Sequence, residues 1–165
     1  MNADIRIRLA TPSDANRIAE MSRDLIEQGL GWSWTARRVL ASIADAETNV
    51  VVAMGAAGRR VGFGIMKYHD AEAHLLLLAV QPANGRGGVG SAMVAWLEAA
   101  ALTAGVGQVW LEARFGNAAA RAFYRQLGYR EIQVLPGYYQ GREACVRIAR
   151  DLWLEPWEAE AGDPP

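Results

Sequence analysis

A glycine-rich loop in the middle of the chain limits the folds that the sequence can adopt. The loop joins Leu75–Val80, an apolar run typical of a buried strand, to residues 88–104, whose apolar side chains repeat at helical spacing. The loop reads QPANGRGGVG. Glycines let the backbone approach a ligand closely, and a helix N-terminus carries partial positive charge. The sequence therefore predicts an α/β fold with an anion site that suits a pyrophosphate.

The loop also matches a second kind of nucleotide site. Gly85, Gly87 and Gly90 fit the dinucleotide pattern G-x-G-x-x-G, and Glu112 lies about where that pattern places a ribose-binding acid. Against it, a proline-containing loop separates Val80 from the first glycine, and too little chain follows to complete a doubly wound half. A P-loop is excluded because no Gly-Lys-Ser/Thr follows. An ordinary glycine-rich turn stays open at this point.

Apolar patterns and turn signals predict a mixed α/β protein with the element order β-α-α-β-β-β-α-β-α-β-β. The cap and proline at residues 11–14 start a first helix that runs to about residue 28. Asn117 and Gly128 are the expected caps of the last helix. The predicted strands span residues 5–9, 50–54, 61–68, 74–80, 108–113, 129–135 and 144–152, and the later helices span 35–44, 88–104 and 118–127.

Composition narrows the classes of function. The chain has 165 residues, 52% of them hydrophobic, enough for one packed domain, which we expect to span residues 1–153 before an acidic tail at 154–165. Lys and Arg (17) balance Asp and Glu (18), so we expect neither nucleic acid nor membrane as a partner. No long apolar stretch opens the sequence, and we expect a soluble cytoplasmic protein.

The few cysteine and histidine residues predict neither a disulfide nor a metal site. Cys145 is the single cysteine, which excludes an internal disulfide, and it is predicted to be a core thiol rather than a nucleophile. His69 and His74 flank a predicted hairpin and are expected to be turn residues. No metal is therefore assigned.

A second motif points to a known family. Residues 117–129 read NAAARAFYRQLGY, and the pattern N-x-x-A-x-x-F-Y-x-x-x-G-Y resembles the late helix motif of the GNAT N-acetyltransferase superfamily. The earlier V-x-P-x-x-x-x-x-G-x-G at residues 80–90 resembles the pyrophosphate loop of that superfamily. Residues 109–114 and 137–144 are most similar to the bacterial ribosomal-protein alanine N-acetyltransferases. The resemblance covers about residues 4–152.

The resemblance implies a fold and a donor site. We expect a mostly antiparallel sheet of about seven strands, splayed between strands four and five and flanked by about four helices, with acetyl-CoA as co-substrate. Pantetheine would lie in the gap and pair with backbone groups of strand four, and the strand-end N–H of Val80 would contact the thioester oxygen. Gly85 occupies the usual Gln/Arg slot of the loop, with Arg86 one place later. The implied cofactor-binding residues are Leu78, Ala79, Val80, Gly85, Arg86, Gly87, Gly88, Val89, Gly90 and Asn117.

The resemblance also implies catalytic roles. Glu112 is expected to be the general base for the amine, and Tyr124 the general acid for the departing thiolate, so that acetyl moves directly without an acetyl-enzyme. The expected acceptor is a protein N-terminal α-amine. A small-molecule amine and a non-catalytic acetyl-CoA-binding module stay open as alternatives. Four aromatic residues in predicted loops are expected either to cap the edge of a core or to line the acceptor cleft: Trp32, Trp34, Tyr138 and Tyr139.

Overall fold

The computed structural model describes residues 5–85, 87–139 and 143–154, and it confirms the predicted order of helices and strands. Apart from its first residue, the predicted tail at 154–165 lies outside the described residues, so the domain boundary stays a prediction. The helices are α1 (Ala15–Leu25), α2 (Ala36–Ala44), α3 (Val89–Thr103) and α4 (Ala118–Gln126). The strands are β1 (Arg6–Leu9), β2 (Thr48–Met54), β3 (Arg60–Tyr68), β4 (Glu72–Val80), β5 (Gln108–Arg114), β6 (Arg130–Tyr139) and β7 (Glu143–Asp151).

The strands form one seven-stranded sheet in the order β1-β2-β3-β4-β5-β7-β6. Antiparallel registers join β1 to β2, β2 to β3, β5 to β7 and β6 to β7, whereas β4 and β5 are parallel. The parallel register covers Glu72–His74 opposite Gln108–Trp110 and ends there, while β4 continues to Val80. The predicted fold class, a mostly antiparallel seven-stranded sheet with four helices, is confirmed.

The chain divides into two compact units. The first contains the residues up to Tyr68 together with Leu75–Ala100, and the second contains His69–His74 together with the residues from Ala101 onward. The core of the first unit lies where α1 and α2 pack on β2 and β3. Its fully buried side chains include Ile18, Met21, Val39, Val52, Phe63 and Ile65. Burial of each such apolar side chain stabilises the fold by about 1.5–3 kcal/mol.

Two glycines of β3 allow α3 to pack close to the sheet in the first unit. A Cβ atom at Gly62 would lie 2.9 Å from the carbonyl oxygen of Ala79 and 3.0 Å from Met93 Cε. A Cβ atom at Gly64 would lie 3.3 Å from Leu97 Cδ1. Met93 and Leu97 are fully buried residues of α3. Larger residues at these positions would therefore push the helix away from the sheet.

The second unit contains α4 and the strands β5, β6 and β7. Val109 and Leu111 alternate into its core along β5, and Val146 and Ile148 do so along β7. As the sequence predicts, the side-chain oxygen of Asn117 accepts a hydrogen bond from the backbone N–H of Ala120 (3.1 Å), which caps α4. Gly128 follows the helix with φ 91°, a conformation that favours glycine. Cys145 is buried in β7, which confirms the predicted core thiol.

Asp14 is a fully buried carboxylate at the start of α1. It accepts hydrogen bonds from Arg8 Nη1 (2.8 Å), from Arg60 and from the backbone N–H of Thr11 (2.8 Å). Burial alone would raise the pKa of this carboxyl, but the hydrogen bonds and the arginine charges outweigh burial and hold the pKa well below its usual range. Its contribution to stability is therefore complete above the unfolded pKa of about 3.9 and is lost as the pH falls toward the lower folded pKa.

Asp14→Asn should lower the free energy of unfolding by about 3 kcal/mol at pH 7, because two guanidinium groups lose a buried carboxylate. Urea denaturation measures this loss, which should shrink below about pH 4 as the wild-type carboxylate is protonated as well. Asp24→Asn is the matched control, since Asp24 pairs with Arg23 at the exposed surface and should lower the free energy of unfolding far less than Asp14→Asn does. Equal losses in the two variants would contradict the role given to burial.

Helix α1 ends earlier than the sequence predicts. It stops at Leu25 rather than near residue 28, because the backbone N–H groups of Ile26 and Glu27 both donate to the carbonyl of Ser22 (3.0 and 2.8 Å). The side chain of Glu27 then turns inward and accepts hydrogen bonds from the following loop, from the N–H and hydroxyl of Ser33 (both 2.8 Å). A buried carboxylate therefore ends the helix before Gly29 is reached.

Strand β6 continues past the point where the sequence predicts a loop. The expectation that Tyr138 and Tyr139 lie in a loop is wrong, because β6 runs to Tyr139, whose backbone is in register with Glu143. The register shifts between Leu135 and Tyr139, and Gly137 has φ 66° within the irregular segment. A bulge of this kind absorbs a proline and a glycine without ending the strand.

Among the described residues, no helix is both long and apolar enough to cross a membrane. The cytoplasmic location stays a prediction.

Candidate functional site

The glycine loop forms a turn that delivers the chain into α3. A 3₁₀ turn at Pro82–Asn84 follows β4, and the N–H of Gly85 donates to the carbonyl of Pro82 (3.2 Å). Gly88 has φ 80°, which L side chains rarely adopt, and its carbonyl accepts from the N–H of Ala92 in the first turn of α3 (3.0 Å). The first N–H groups of an α-helix have no partner within that helix, so this turn offers donors to an anion.

A side chain would be crowded at one glycine of the loop. A Cβ atom at Gly85 would lie 3.3 Å from the carbonyl of Pro82, which is tight, whereas one at Gly87 would lie 3.4 Å from the carbonyl of Asn84, an ordinary contact. Val89, the first residue of α3, is buried, and Gly90 is half-buried. Arg86, the basic side chain expected beside Gly85, lies outside the described residues. The backbone cradle thus depends on the glycines.

The end of β4 presents two residues whose backbone groups point away from β3. The N–H of Gln81 donates to the carbonyl of Val61 in β3 (2.8 Å), and the carbonyl of Ala79 lies against Gly62 of the same strand. Backbone groups alternate from side to side along a strand, so those of Leu78 and Val80 point the other way. The pairing of Leu78, Ala79 and Val80 with pantetheine stays a prediction.

Glu112 lies on β5 with its side chain only 15% exposed. Two nitrogen atoms approach its carboxylate: His74 Nε2 is 3.7 Å from Oε2, and Arg147 Nη2 is 3.5 Å from Oε1. His74 belongs to β4 and Arg147 to β7, so side chains from the strands on both sides of β5 reach this carboxylate. Glu112 is therefore a half-buried carboxylate beside a permanent positive charge, an arrangement that favours its ionised form.

Tyr124 lies on α4 inside an aromatic cluster. Its ring meets Phe123 and Tyr129 edge to face, with centroids 4.9 and 5.6 Å apart, and the residue is buried. Burial raises the pKa of the Tyr124 phenol well above its usual value. The phenol therefore stays protonated at neutral and moderately alkaline pH, the form in which it is able to give a proton.

A buried carboxylate holds the loop between α1 and α2. Besides its bonds to Ser33, Glu27 accepts a hydrogen bond from the hydroxyl of Ser22 (2.9 Å) and lies 3.3 Å from the backbone nitrogen of Trp34. Trp34 is in the predicted loop but is buried, with Arg38 3.8 Å from the centre of its ring. Trp32, which is 45% exposed, is the tryptophan of this loop that faces solvent.

The expected site residues fall into the two compact units. The loop residues and Leu78–Val80 belong to the first unit, whereas Glu112, Asn117 and Tyr124 belong to the second. Sequence reasoning missed four residues that shape these surroundings: Glu27, His74, Trp110 and Arg147. His74 lies in β4, as the predicted strand 74–80 has it, but the strand begins two residues earlier, at Glu72, so His74 is not at the turn. Trp110 and Glu112 are two residues apart, so the sequence predicts that they lie on the same face of a strand. No local pattern predicts that Arg147 lies close to them.

Comparison with known proteins gives this geometry a context. A model described as the acetyltransferase (GNAT) family matches residues 16–129. A ribosomal protein bS18-alanine N-acetyltransferase of Escherichia coli (strain K12) is 37% identical over 95 residues, which cover 56% of this chain and 64% of that protein. The chain thus spans less than two thirds of the length of the curated relatives that it matches.

Solved structures extend the similarity over nearly the whole chain. The crystal structure of Ard1 from Thermoplasma volcanium has a TM-score of 0.81 at 27% identity, over 93% of this chain and all of that one (100%). The ribosomal-protein-S18-alanine N-acetyltransferase of Escherichia coli has a TM-score of 0.74 at 26% identity, over 92% and 96% of the two chains. These relatives support the predicted enzyme class, an acyltransferase. Since the family model covers well over half of the sequence, the chain belongs to the acetyltransferase (GNAT) family.

Proposed function

We propose that the protein is an acetyl-CoA-dependent N-acetyltransferase whose acceptor is the α-amine of a protein N-terminus. The observation that carries the donor half of this proposal is the continuous segment from Val80 through Gly88 into α3. It combines outward-pointing strand groups, a left-handed glycine and a helix N-terminus, which together suit an amide-bearing chain that ends in a pyrophosphate. Family membership and the similarity to bS18-alanine N-acetyltransferases support the rest.

The proposed donor site fits acetyl-CoA through the backbone. Leu78 and Val80 would pair with the amides of pantetheine, and the N–H of Val80 would donate to the thioester oxygen as negative charge develops on it. Gly85–Gly90, including Arg86, would hold the pyrophosphate. Asn117, at the start of α4, would contact the cofactor. Acetyl-CoA supplies the activated acyl group, and the residues of this chain bind and orient it.

Glu112 and Tyr124 are proposed to move the two protons of the reaction. Glu112 takes a proton from the amine, directly or through one water, as the amine nitrogen bonds to the acetyl carbon. Tyr124 gives its proton to sulfur as the carbon–sulfur bond breaks, which yields free coenzyme A and an amide. The proton held by Glu112 then returns through solvent to restore Tyr124. No acetyl-enzyme forms, and the buried Cys145 takes no part.

The acceptor class is proposed from the strength of the base. An α-amine has a pKa of about 8 and a lysine side chain about 10.4, so a single carboxylate deprotonates the former far more readily near neutral pH. Arg147, 3.5 Å from Glu112, weakens the carboxylate as a base because its charge favours the ionised form. A weaker base beside Arg147 therefore favours an α-amine acceptor over a lysine side chain.

A panel of acceptors tests the proposal. Release of free thiol from acetyl-CoA would be measured with peptides that begin with Ala, with Lys-containing peptides blocked at the N-terminus, and with common small amines and amino acids. We expect selective turnover of the Ala-starting peptides. Turnover of small amines alone would keep the donor site and overturn the acceptor. Binding of acetyl-CoA without any turnover would favour a non-catalytic binding module.

Gly88→Ala should weaken the binding of acetyl-CoA, because an alanine at φ 80° costs on the order of 1 kcal/mol and shifts the backbone that meets the pyrophosphate. We expect the dissociation constant, measured by calorimetry, to rise about tenfold. Gly105→Ala is the matched control: Gly105 follows the other end of α3 with the same φ of 80° and has open space around its Cβ position. If both variants bind equally well, the loop does not hold the pyrophosphate.

A further inference from the structure

Four side chains from three adjacent strands lie on one face of the sheet in the second unit. His74 on β4 is in register with Trp110 on β5, and Arg147 on β7 is in register with Glu112. Trp110 and Glu112 are two residues apart and so point to the same face. His74 and Arg147 are distant in sequence from these two residues, and the sheet register brings them together.

Trp110 fixes the two residues that approach Glu112. The imidazole of His74 stacks on the indole, with centroids 3.7 Å apart and planes 9° from parallel. The guanidinium of Arg147 lies 4.8 Å from the centre of the same ring, within the range of a cation–π contact. Both rings and the guanidinium therefore have a preferred orientation before any substrate binds.

Among the residues that the structure describes, two buried donors in this group have no hydrogen-bond partner. They are Trp110 Nε1 and Arg147 Nε. A buried donor without an acceptor costs about 1–3 kcal/mol. Arg150 Nε on the opposite face shares this property, so it is the contact with Glu112 that distinguishes Arg147.

We infer that Arg147 and His74 are positioning residues for Glu112 in the proposed reaction. Arg147 holds Oε1 while His74 approaches Oε2, so the carboxylate is restrained from two strands and its rotation is limited. Arg147 also places a permanent positive charge 3.5 Å from this carboxylate, which favours the ionised form that accepts a proton. The inference rests on the proposed function, because it assigns these residues to its base.

The charged groups near this carboxylate come from each neighbouring strand. From β4 comes His74, and from β7 comes Arg147. On β5 itself, Arg114 is the next residue on the same face and lies 3.7 Å from Glu143. One strand further, β6 places the uncharged Gln133 opposite Arg147 and the charged Arg130 opposite Ala149. Arg147 is the permanent charge closest to Glu112 among the contacts named here, so we choose it for the test.

Arg147→Met should lower kcat roughly 10- to 100-fold with an Ala-starting peptide and should change the KM for acetyl-CoA less than about twofold, because the restraint on the base is lost while the donor site is intact. The acidic limb of the kcat profile should move to higher pH, because the carboxylate loses a neighbouring positive charge. Arg147→Lys retains the charge and should restore the position of that limb. His74→Phe keeps the stacking on Trp110, removes Nε2 and should lower kcat by less.

Arg150→Met is the matched control. Arg150 lies on the same strand but is in register with Val109, so it points to the opposite face from Glu112. Thermal unfolding of all variants checks that they fold. We expect Arg150→Met to leave the acidic limb of kcat in place even if it lowers the melting temperature.

Testing Arg147→Met in a Glu112→Gln protein distinguishes a role in positioning Glu112 from a general loss of structure. In a Glu112→Gln protein, Arg147→Met should cause no further loss of kcat, since its target is gone. An equal loss in both backgrounds, or an unmoved acidic limb, would overturn the inference and leave the proposed function standing. If Glu112→Gln itself leaves kcat unchanged, the base assignment of the proposed function fails first, which is a distinct result.

Discussion

Glu112→Gln is expected to lower kcat for an α-amine acceptor by about 10²–10⁴, the contribution typical of a general base. Glutamine has the same shape but cannot take a proton, so the loss should be greatest at low pH. As the pH rises through about 8, more of the amine is already neutral and the variant should recover part of its rate. Steady-state kinetics from pH 6 to 9 measure this, and the affinity for acetyl-CoA should stay within about twofold of wild type.

Glu143→Gln provides the matched control for the base. Glu143 lies on β7 next to β5 and pairs with Arg114 at 3.7 Å, and its side chain is 36% exposed. Loss of this carboxylate removes the same charge close by without removing the proposed base. We expect kcat within about twofold of wild type. A similar fall in both variants would assign the effect to local charge rather than to proton transfer.

Tyr124→Phe is expected to lower kcat by about 10² or more, because the departing sulfur would leave as an unprotonated thiolate. The pKa of the phenol is raised by burial, which by itself makes it a weaker acid. A thiolate that develops in the same apolar surroundings is destabilised for the same reason, so the proton transfer is not opposed by burial. Presteady-state release of free coenzyme A, followed with a thiol reagent, measures the step directly.

The aromatic cluster supplies the control for this variant. Tyr129 is also buried, and its ring meets that of Tyr124 edge to face. Tyr129→Phe removes a phenol oxygen from the same cluster and should reduce the melting temperature rather than kcat. Because the folded pKa of Tyr124 is raised, the wild-type kcat should show no alkaline limb from this group below about pH 10. A limb at lower pH that disappears in Tyr124→Phe would contradict the acid role.

Local signals predicted the elements of the fold well. Thr35 and Asn117 cap α2 and α4 as expected, since a side-chain oxygen close to the first free N–H groups is a property of a few consecutive residues. The predicted ends of two elements were wrong, because residues distant in sequence determine where those elements end. The end of α1 depends on the inward turn of Glu27, and the continuation of β6 to Tyr139 depends on pairing with β7 across a bulge. Neither partner is visible in a local pattern.

One part of the candidate site is predictable from local sequence, and the other part is not. Its loop is predictable because Gly88 and the start of α3 are contiguous, and their chemistry follows from backbone geometry. The surroundings of Glu112 are not predictable, because the register of β4, β5 and β7 brings His74 and Arg147 to it from opposite sides. A shift of one residue in either register would place these side chains on the other face. The roles of Glu112 and Tyr124 stay predictions until the variants are measured.

The two glycines of β3, Gly62 and Gly64, bear on how strongly the protein binds acetyl-CoA. The depth at which α3 rests on the sheet is set by clearances of 3.0 and 3.3 Å from Met93 and Leu97. The proposed pyrophosphate loop continues directly into that helix, so an added methyl group in β3 would displace the loop without touching any ligand. In the proposed donor site, alanine at Gly64 is therefore expected to change the affinity for acetyl-CoA from the interior of the sheet, with no change in the sequence of the loop.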